Sequence, residues 1–159
     1  MNARILSIVA IVLWVVTIVV AGVFFIRGQV QPSSDGRQSI VLTESERNLV
    51  LTEMRGLLAS VQGAVEGLAG NDMKRVAQAA RPSGSAAAQQ VPPGLMAKLP
   101  LQFKQMGMAA HQGFDELVIG SESGEPADML LARLGNQIKN CVACHATFRL
   151  DAEAKVAAK

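Results

Sequence analysis

Residues 141–145 read Cys-Val-Ala-Cys-His, and the rest of the chain is organised around this stretch. The pattern C-x-x-C-H is typical of covalent c-type haem attachment, in which each thiol adds to a porphyrin vinyl group and the histidine binds the iron. On a helix, side chains at i, i+3 and i+4 share one face, so Cys141, Cys144 and His145 point the same way. The sequence therefore predicts one covalent haem c, with its iron, held by these three residues.

Two other uses of paired cysteines compete with haem attachment. A thioredoxin-like redox pair favours a βαβ context and a lowered thiol pKa, and no segment of the chain alternates like a strand. A zinc site needs more ligands than the one spare histidine, His111, supplies. The chain contains no third cysteine, so haem attachment leaves no thiol for a disulfide.

The N-terminal part of the chain is strongly apolar, and residues 5–26 carry no charge. At ~1.5 Å per residue this run spans about 33 Å as a helix, which is enough to cross a bilayer. A cleaved signal peptide is the alternative, with Val-Val-Ala at residues 19–21 as a weak cleavage site. The apolar run continues past that site and exceeds the usual signal core of ~7–15 residues. We therefore expect residues 1–27 to be a retained transmembrane anchor.

Charge alone leaves the orientation of this anchor ambiguous, because Arg4 on one side competes with Arg27 and Arg37 on the other. Covalent haem attachment takes place on the outer side of the bacterial inner membrane, which favours a cytoplasmic N-terminus. We expect a single-pass protein of the bacterial inner membrane with its haem domain in the periplasm.

The remaining chain divides into a polar segment and a helical domain. Residues 28–42, which include Pro32 and Gly36, predict a tether. Thr43 and Glu46 form a capping-box pattern that predicts the start of a helix of about 26 residues. The other expected elements are a short helix over residues 73–80, a loop over 82–94, a third helix from near Pro100, a turn over 120–125 and a last helix after Pro126. Four helices with one apolar stripe each predict an all-α, antiparallel four-helix bundle over residues 43–159.

Composition and charge exclude two classes of function. The net charge is +2, and no basic block or interleaved aromatic pattern is present, so nucleic-acid binding has no support. The carboxylates are scattered without a recognisable acid–base pair, so we do not expect an enzyme.

The segment from Cys141 to Arg149, with its C-x-x-C-H motif and Phe148-Arg149, resembles the C-terminal helix of the cytochrome c′ family. These four-helix, class II c-type cytochromes carry the haem motif near the C-terminus, whereas class I cytochromes c carry it near the N-terminus. Residues 47–54 resemble the first helix of that family, and residues 102–105 resemble the start of its third. The resemblance covers about residues 43–150 and does not include the anchor, since most members are soluble periplasmic proteins.

The resemblance implies that the sixth coordination position of the iron faces the first bundle helix. A methionine there gives a six-coordinate, low-spin haem suited to electron transfer, whereas a leucine leaves the iron open to small gases. Counting from Arg47 places Leu51 at this position, and Met54 lies one turn further along the same face. Both alternatives stay open. Met106, Met108 and His111 are further candidates, although the polar neighbours of His111 predict a surface histidine.

The resemblance also implies roles for two arginines. Arg47 matches a family arginine near the haem propionates, where a guanidinium pairs with a carboxylate; the alternative is a solvated charge beside Glu44 and Glu46. Arg149 matches a basic residue on the proximal side, where it would modulate the imidazole of His145. Its alternative is a side chain that snorkels at the end of the helix. Phe148 is expected to pack against the haem or the core.

These observations predict a membrane-anchored, mono-haem c-type cytochrome that carries single electrons at the periplasmic face. Its expected partners are membrane-bound or periplasmic redox proteins, with the anchor as the membrane contact. The alternatives are a five-coordinate haem protein that binds NO or CO, and an accessory haem subunit of a larger membrane complex. Members of the family often pair, so a homodimer is a further possibility.

Overall fold

The computed structural model describes residues 3–153, and within this range the chain is mostly helical. The elements in chain order are α1 (Ala3–Arg27), β1 (Val30–Pro32), β2 (Gln38–Leu42), α2 (Glu44–Ala69), α3 (Met73–Ala80), α4 (Ser85–Ala88), α5 (Pro93–Lys98), α6 (Leu101–Glu122), α7 (Ala127–Thr147) and β3 (Phe148–Ala152). The prediction of a helical fold is confirmed for most of this range, whereas the predicted all-α four-helix bundle is not confirmed and the small sheet was not predicted. Residues 1–2 of the predicted anchor and 154–159 of the predicted haem domain lie outside the described range.

Side-chain hydrogen bonds cap the first turns of α2 and α3, as the sequence predicted. The Thr43 hydroxyl accepts a hydrogen bond from the Glu46 N–H at 3.3 Å, and the Glu46 carboxylate accepts one from the Thr43 N–H at 3.0 Å. This reciprocal capping box begins α2, which has the expected 26 residues. Asp72 caps α3 by accepting from the Arg75 N–H at 3.0 Å. The predicted bounds of these two helices are therefore confirmed.

Helices α2, α3, α6 and α7 pack around one apolar cluster, formed by Ala64, Leu68, Val76, Ala80, Phe114, Leu117, Val118, Leu130 and Leu134. Helix α3 has only 8 residues, so it covers part of the length of α2. The predicted loop over residues 82–94 contains α4 and the start of α5, joined to α3 by a 3₁₀ turn at Arg81–Ser83.

Residues 28–42 do not form a polar tether, and that prediction is wrong. Strands β1 and β2 pair antiparallel, with Val30 opposite Ile40, and β2 pairs in parallel with β3, with Ile40 opposite Leu150. Ile40 and Leu42 are completely buried in a second apolar cluster that also contains Phe103 and Phe148. Burial of Ile40 and Leu42 stabilises this sheet. The polar residues on either side of them led to the prediction of a tether.

The last helix is shorter than predicted. Helix α7 ends at Thr147, and Phe148 adopts an extended backbone with φ −120° and ψ 151°. Phe148 and Leu150 then bury their side chains as part of β3, because β2 offers its free edge to this segment. Arg149 consequently lies on a strand instead of a helix.

Helix α1 is long and apolar enough to span a membrane, and the apolar stretch within Arg4–Arg27 is not buried by the rest of the protein. A signal sequence has the same properties. The helix ends at Arg27, and Gly28 follows it with a left-handed φ of +62°. A glycine in this position is a common helix stop, since it accepts the left-handed backbone without steric cost.

Candidate functional site

The end of α7 forms one wall of a cavity of about 160 Å³. Two residues of the Cys-Val-Ala-Cys-His stretch, Cys144 and His145, contribute to this wall. Helix α2, helix α6, the β1–β2 turn and strand β3 provide the other walls, through Arg37, Leu51, Met54, Phe103, Phe148, Arg149 and Leu150. The fold therefore brings the motif together with both residues that were expected to face the sixth coordination position.

Both cysteines are free thiols and half-buried. Burial raises the pKa of the Cys141 thiol, and it also raises the pKa of the Cys144 thiol. The two groups are therefore protonated at neutral pH. A thioredoxin-like redox pair requires the opposite shift, since its attacking cysteine must be a thiolate.

Nothing within residues 3–153 gathers three or more His, Cys, Asp or Glu side chains into a group that could hold a metal ion directly. Cys141, Cys144 and His145 follow one another along a helix and do not surround a point. Their i, i+3 and i+4 spacing places the two thiols and the imidazole on one side of α7.

The carbonyl group of His145 is held by a residue that the sequence did not identify. Arg37, in the β1–β2 turn, donates from Nη1 to the His145 oxygen at 3.2 Å, and its Nη2 pairs with Asp35 at 2.7 Å. The hydrogen bonds from Arg37 hold the pKa of Asp35 well below its usual range. The available signal was Asp35-Gly36, a dipeptide typical of tight turns between strands, here with Gly36 at φ +83°.

The two arginines implied by the resemblance occupy different settings. Arg149 lines the cavity from β3, where it pairs with Asp151 at 2.8 Å and with Asp35 at 3.2 Å. Its hydrogen bond with Asp151 raises the pKa of Arg149. Arg47 does not line the cavity; its Nε donates to the Leu150 oxygen at 3.0 Å and ties α2 to β3. The snorkelling alternative for Arg149 and the solvated alternative for Arg47 are thus both incorrect.

Leu51 and Met54 both line the cavity, so the structure places the two rival residues side by side. Met106 is half-buried and packs against the apolar cluster that contains Phe103 and Phe148, whereas Met108 lies exposed on α6. Phe148 is buried and meets Phe103 edge to face, with ring centres 5.6 Å apart. Phe148 therefore packs in the core, as expected.

His111 is not a surface histidine, because it is only 5% exposed. Its Nδ1 lies 2.8 Å from the Ser83 oxygen, and its Nε2 lies 3.2 Å from a Glu53 carboxylate oxygen. The hydrogen bond to Glu53 raises the pKa of His111. These residues line a separate cavity of about 320 Å³. The signal in the sequence was spacing, since His111, Phe114 and Val118 recur on the buried face of α6.

Comparison with known proteins found no match to the chain among protein-family models, curated proteins or solved structures.

Proposed function

We propose that this protein is a membrane-anchored, mono-haem c-type cytochrome that carries single electrons at the periplasmic face of a bacterial inner membrane. The observation that carries the proposal is the Cys-Val-Ala-Cys-His motif on α7, whose Cys144 and His145 line a mainly apolar cavity with Leu51 and Met54. Two free thiols and an exposed imidazole on one face of a helix suit thioether formation and axial ligation.

The residues of the site fit a haem by their chemistry. Cys141 and Cys144 would hold the porphyrin, His145 would bind the iron, and the haem would supply one-electron chemistry. The cavity of about 160 Å³ is smaller than the ~300 Å³ at which ligand pockets begin, so its walls must open to admit the group. Met54 and Leu51 are half-buried, and an unbranched methionine adapts readily to a new neighbour.

Two features support assignment to the cytochrome c′ class of four-helix bundles. Helices α2, α3, α6 and α7 share one apolar core, and the motif lies on the last helix. The apolar helix α1 supports membrane anchorage. Among residues 3–153, no Asp or Glu lines the cavity at His145.

Gas binding is the second candidate function, and the position of Leu51 favours it. This leucine lines the same cavity as His145, and an aliphatic side chain over the iron would leave the sixth position open to NO or CO. Service as an accessory haem subunit of a membrane complex is compatible with either coordination state.

The covalent bond is the first property to test. Cys141→Ala combined with Cys144→Ala removes both thioethers, so haem staining of the protein band on a denaturing gel should disappear. Val142→Ala is the matched control, because Val142 lies exposed within the motif and contributes no ligand. A stained band that persists in the double variant would contradict the proposal.

The spectrum of the ferrous protein then separates the two functions. Sharp low-spin bands that do not change with carbon monoxide indicate a closed sixth position and electron transfer. A broad high-spin Soret band that shifts on addition of the gas indicates an open iron and gas binding.

A further inference from the structure

The end of α1 is held against the start of α6, and the residue after Gly28 is bonded to the end of α5. Lys104, in the first turn of α6, donates from Nζ to the Phe25 oxygen at 3.0 Å and lies 3.6 Å from the centre of the Phe25 ring. The Gln29 N–H donates to the Lys98 oxygen at 2.7 Å. Lys98 in turn pairs with Glu46, in the first turn of α2, at 2.7 Å. We call this meeting point of α1, α5 and α6, to which Lys98 joins the first turn of α2, the anchor junction.

Gly28 is tightly packed against the backbone of residues 98–100 in the anchor junction. Its φ of +62° turns the chain sharply, and a Cβ at this position would lie 2.5 Å from the Pro100 nitrogen and 2.6 Å from the Lys98 oxygen. The next residue is already part of the sheet network, since the Val41 N–H donates to the Gln29 oxygen at 3.0 Å. The anchor is therefore joined to the domain by packed, hydrogen-bonded chain, without a flexible linker.

Distances along α2 and across the sheet both place the cavity at Cys144 and His145 close to the anchor junction. Leu51 and Met54 come ~10–15 Å along α2 from its first residue, whereas the whole helix measures about 39 Å for its 26 residues. Across the sheet, Val30 pairs with Ile40, and Ile40 pairs with Leu150, so two strand spacings of ~4.8 Å each lead from β1 to β3. The site therefore occupies the half of the domain nearest to α1.

The same sheet connects the anchor junction to the motif itself. Strand β3 continues directly from the end of α7, and Arg37 of the β1–β2 turn binds the His145 carbonyl. The hairpin over residues 28–42 thus contacts the anchor at one end and the motif at the other.

We propose that the hairpin and the anchor junction hold the haem at a fixed, low height above the bilayer, and that the redox partner is a protein embedded in the same membrane. This inference rests on the proposed function, because it requires a retained anchor and a bound haem. A site near the bilayer surface is accessible to a redox group that lies at that surface. A soluble carrier that approached the same site would meet the bilayer first. A fixed joint also removes the ordering cost that a flexible tether would add to each encounter.

The height is tested with the full-length, haem-loaded protein in vesicles of phosphatidylethanolamine and phosphatidylglycerol that contain a headgroup-fluorescent lipid. The haem quenches this fluorescence by energy transfer, which weakens steeply with distance. Insertion of twelve Gly and Ser residues between Arg27 and Gly28 adds a coil of ~17–21 Å and should reduce quenching at least about twofold. Unchanged quenching in the insertion variant would overturn the inference.

Two glycines provide a matched pair for the same measurement. Gly28 and Gly36 both have left-handed backbones, at φ +62° and +83°, but a Cβ at Gly36 meets nothing within 4 Å. Gly28→Ala and Gly36→Ala therefore share the backbone strain, and only Gly28→Ala clashes at the anchor junction. We expect reduced quenching in Gly28→Ala alone, and equal quenching in the two variants would contradict a packed joint.

The partner is tested by following haem reduction after NADH is added to washed inner-membrane vesicles that contain the protein. The twelve-residue insertion should slow reduction at least about tenfold, since misplacement of reacting groups is costly. Reduction by dithionite should be unchanged. An unaffected rate, or faster reduction by a soluble periplasmic fraction, would overturn the inference. Absence of the haem band, or an intact mass that lacks α1, would instead show that the proposed function fails.

Discussion

In the proposed haem protein, the chemistry of the site would depend on which side chain of α2 faces the iron. Leu51 and Met54 lie one turn apart and line the same cavity as His145. A thioether ligand raises the reduction potential and closes the iron to gases, whereas an aliphatic neighbour does neither. If the site holds a haem, the identity of this one side chain would decide between electron transfer and gas binding.

For an electron carrier, we expect Met54 to be the sixth ligand. Met54→Leu should then convert a low-spin ferrous spectrum into a high-spin spectrum that responds to carbon monoxide. Met108→Leu is the control, because Met108 lies exposed on α6, away from the cavity lining. Carbon monoxide binding by the unmodified protein would contradict Met54 ligation and favour an open iron beneath Leu51.

Arg37 is expected to position the histidine ligand through its hydrogen bond to the His145 carbonyl. Arg37→Gln shortens the side chain and removes a positive charge near the iron, so the reduction potential should fall, by less than about 1 kcal/mol in free-energy terms. Potentiometric titration of the haem measures this change. Arg55→Gln is the control, since Arg55 is exposed on α2 and bonds to Thr52. Equal potentials in the two variants would remove Arg37 from this role.

Packing between elements, away from the cavity at His145, depends on the buried histidine of α6. His111 joins α6 to α2 through Glu53 and to the 3₁₀ turn through the Ser83 carbonyl. Ser60 of α2 and Ser83 share a further buried hydrogen bond of 2.7 Å. These polar contacts fasten the connection between α3 and α4 to the helical core, because each buried group has its partner.

The stability of this arrangement should depend on pH. Glu53 raises the pKa of His111 in the folded protein, and Asp115 adds to the effect. The stabilisation is therefore fully present below ~6.5, the pKa of an unfolded histidine, and is lost as pH rises through the folded value. The free energy of unfolding, from denaturant titrations in detergent, should decrease over this range.

Glu53→Gln removes the charge that causes the shift and should flatten the pH dependence. His111→Ala should lower the free energy of unfolding by about 1–3 kcal/mol, because it leaves buried polar partners without a hydrogen bond. A pH slope that survives in Glu53→Gln would assign the effect to other groups.

At the scale of the whole molecule, the apolar helix α1 is the largest feature that the globular domain does not bury. Its exposed side chains include Trp14 and Phe24, at 69% and 70% exposure. An uncovered apolar surface of this size is unfavourable in water and favourable in lipid.

Washing membranes with high salt should therefore leave the protein in the membrane fraction, and detergent should release it. Salt weakens attraction between exposed charges but not burial of apolar surface. Immunoblots of the fractions make this measurement. Recovery of most of the protein in the soluble periplasm would show that the N-terminal segment is a cleaved signal.

Local patterns in the sequence were sufficient for the long helices and for the motif. The capping box at Thr43 and Glu46 and the proline before α7 each act within a few residues, so the sequence reveals them. The motif is equally local, because Cys141, Cys144 and His145 are neighbours on one helix.

Only the tertiary structure decided what the polar-looking residues 28–42 do. Ile40 and Leu42 both belong to β2. They are buried because Phe103 and Phe148 provide an apolar surface, although both are distant in the chain. The same long-range packing brings Arg37 to the His145 carbonyl and buries His111 beside Glu53. The sequence by itself thus determined the long helices and the Cys-Val-Ala-Cys-His motif, which depend on neighbouring residues. Pairing between distant segments decided the sheet, the contact of Arg37 with the His145 carbonyl and the packing of the end of α1 against the domain.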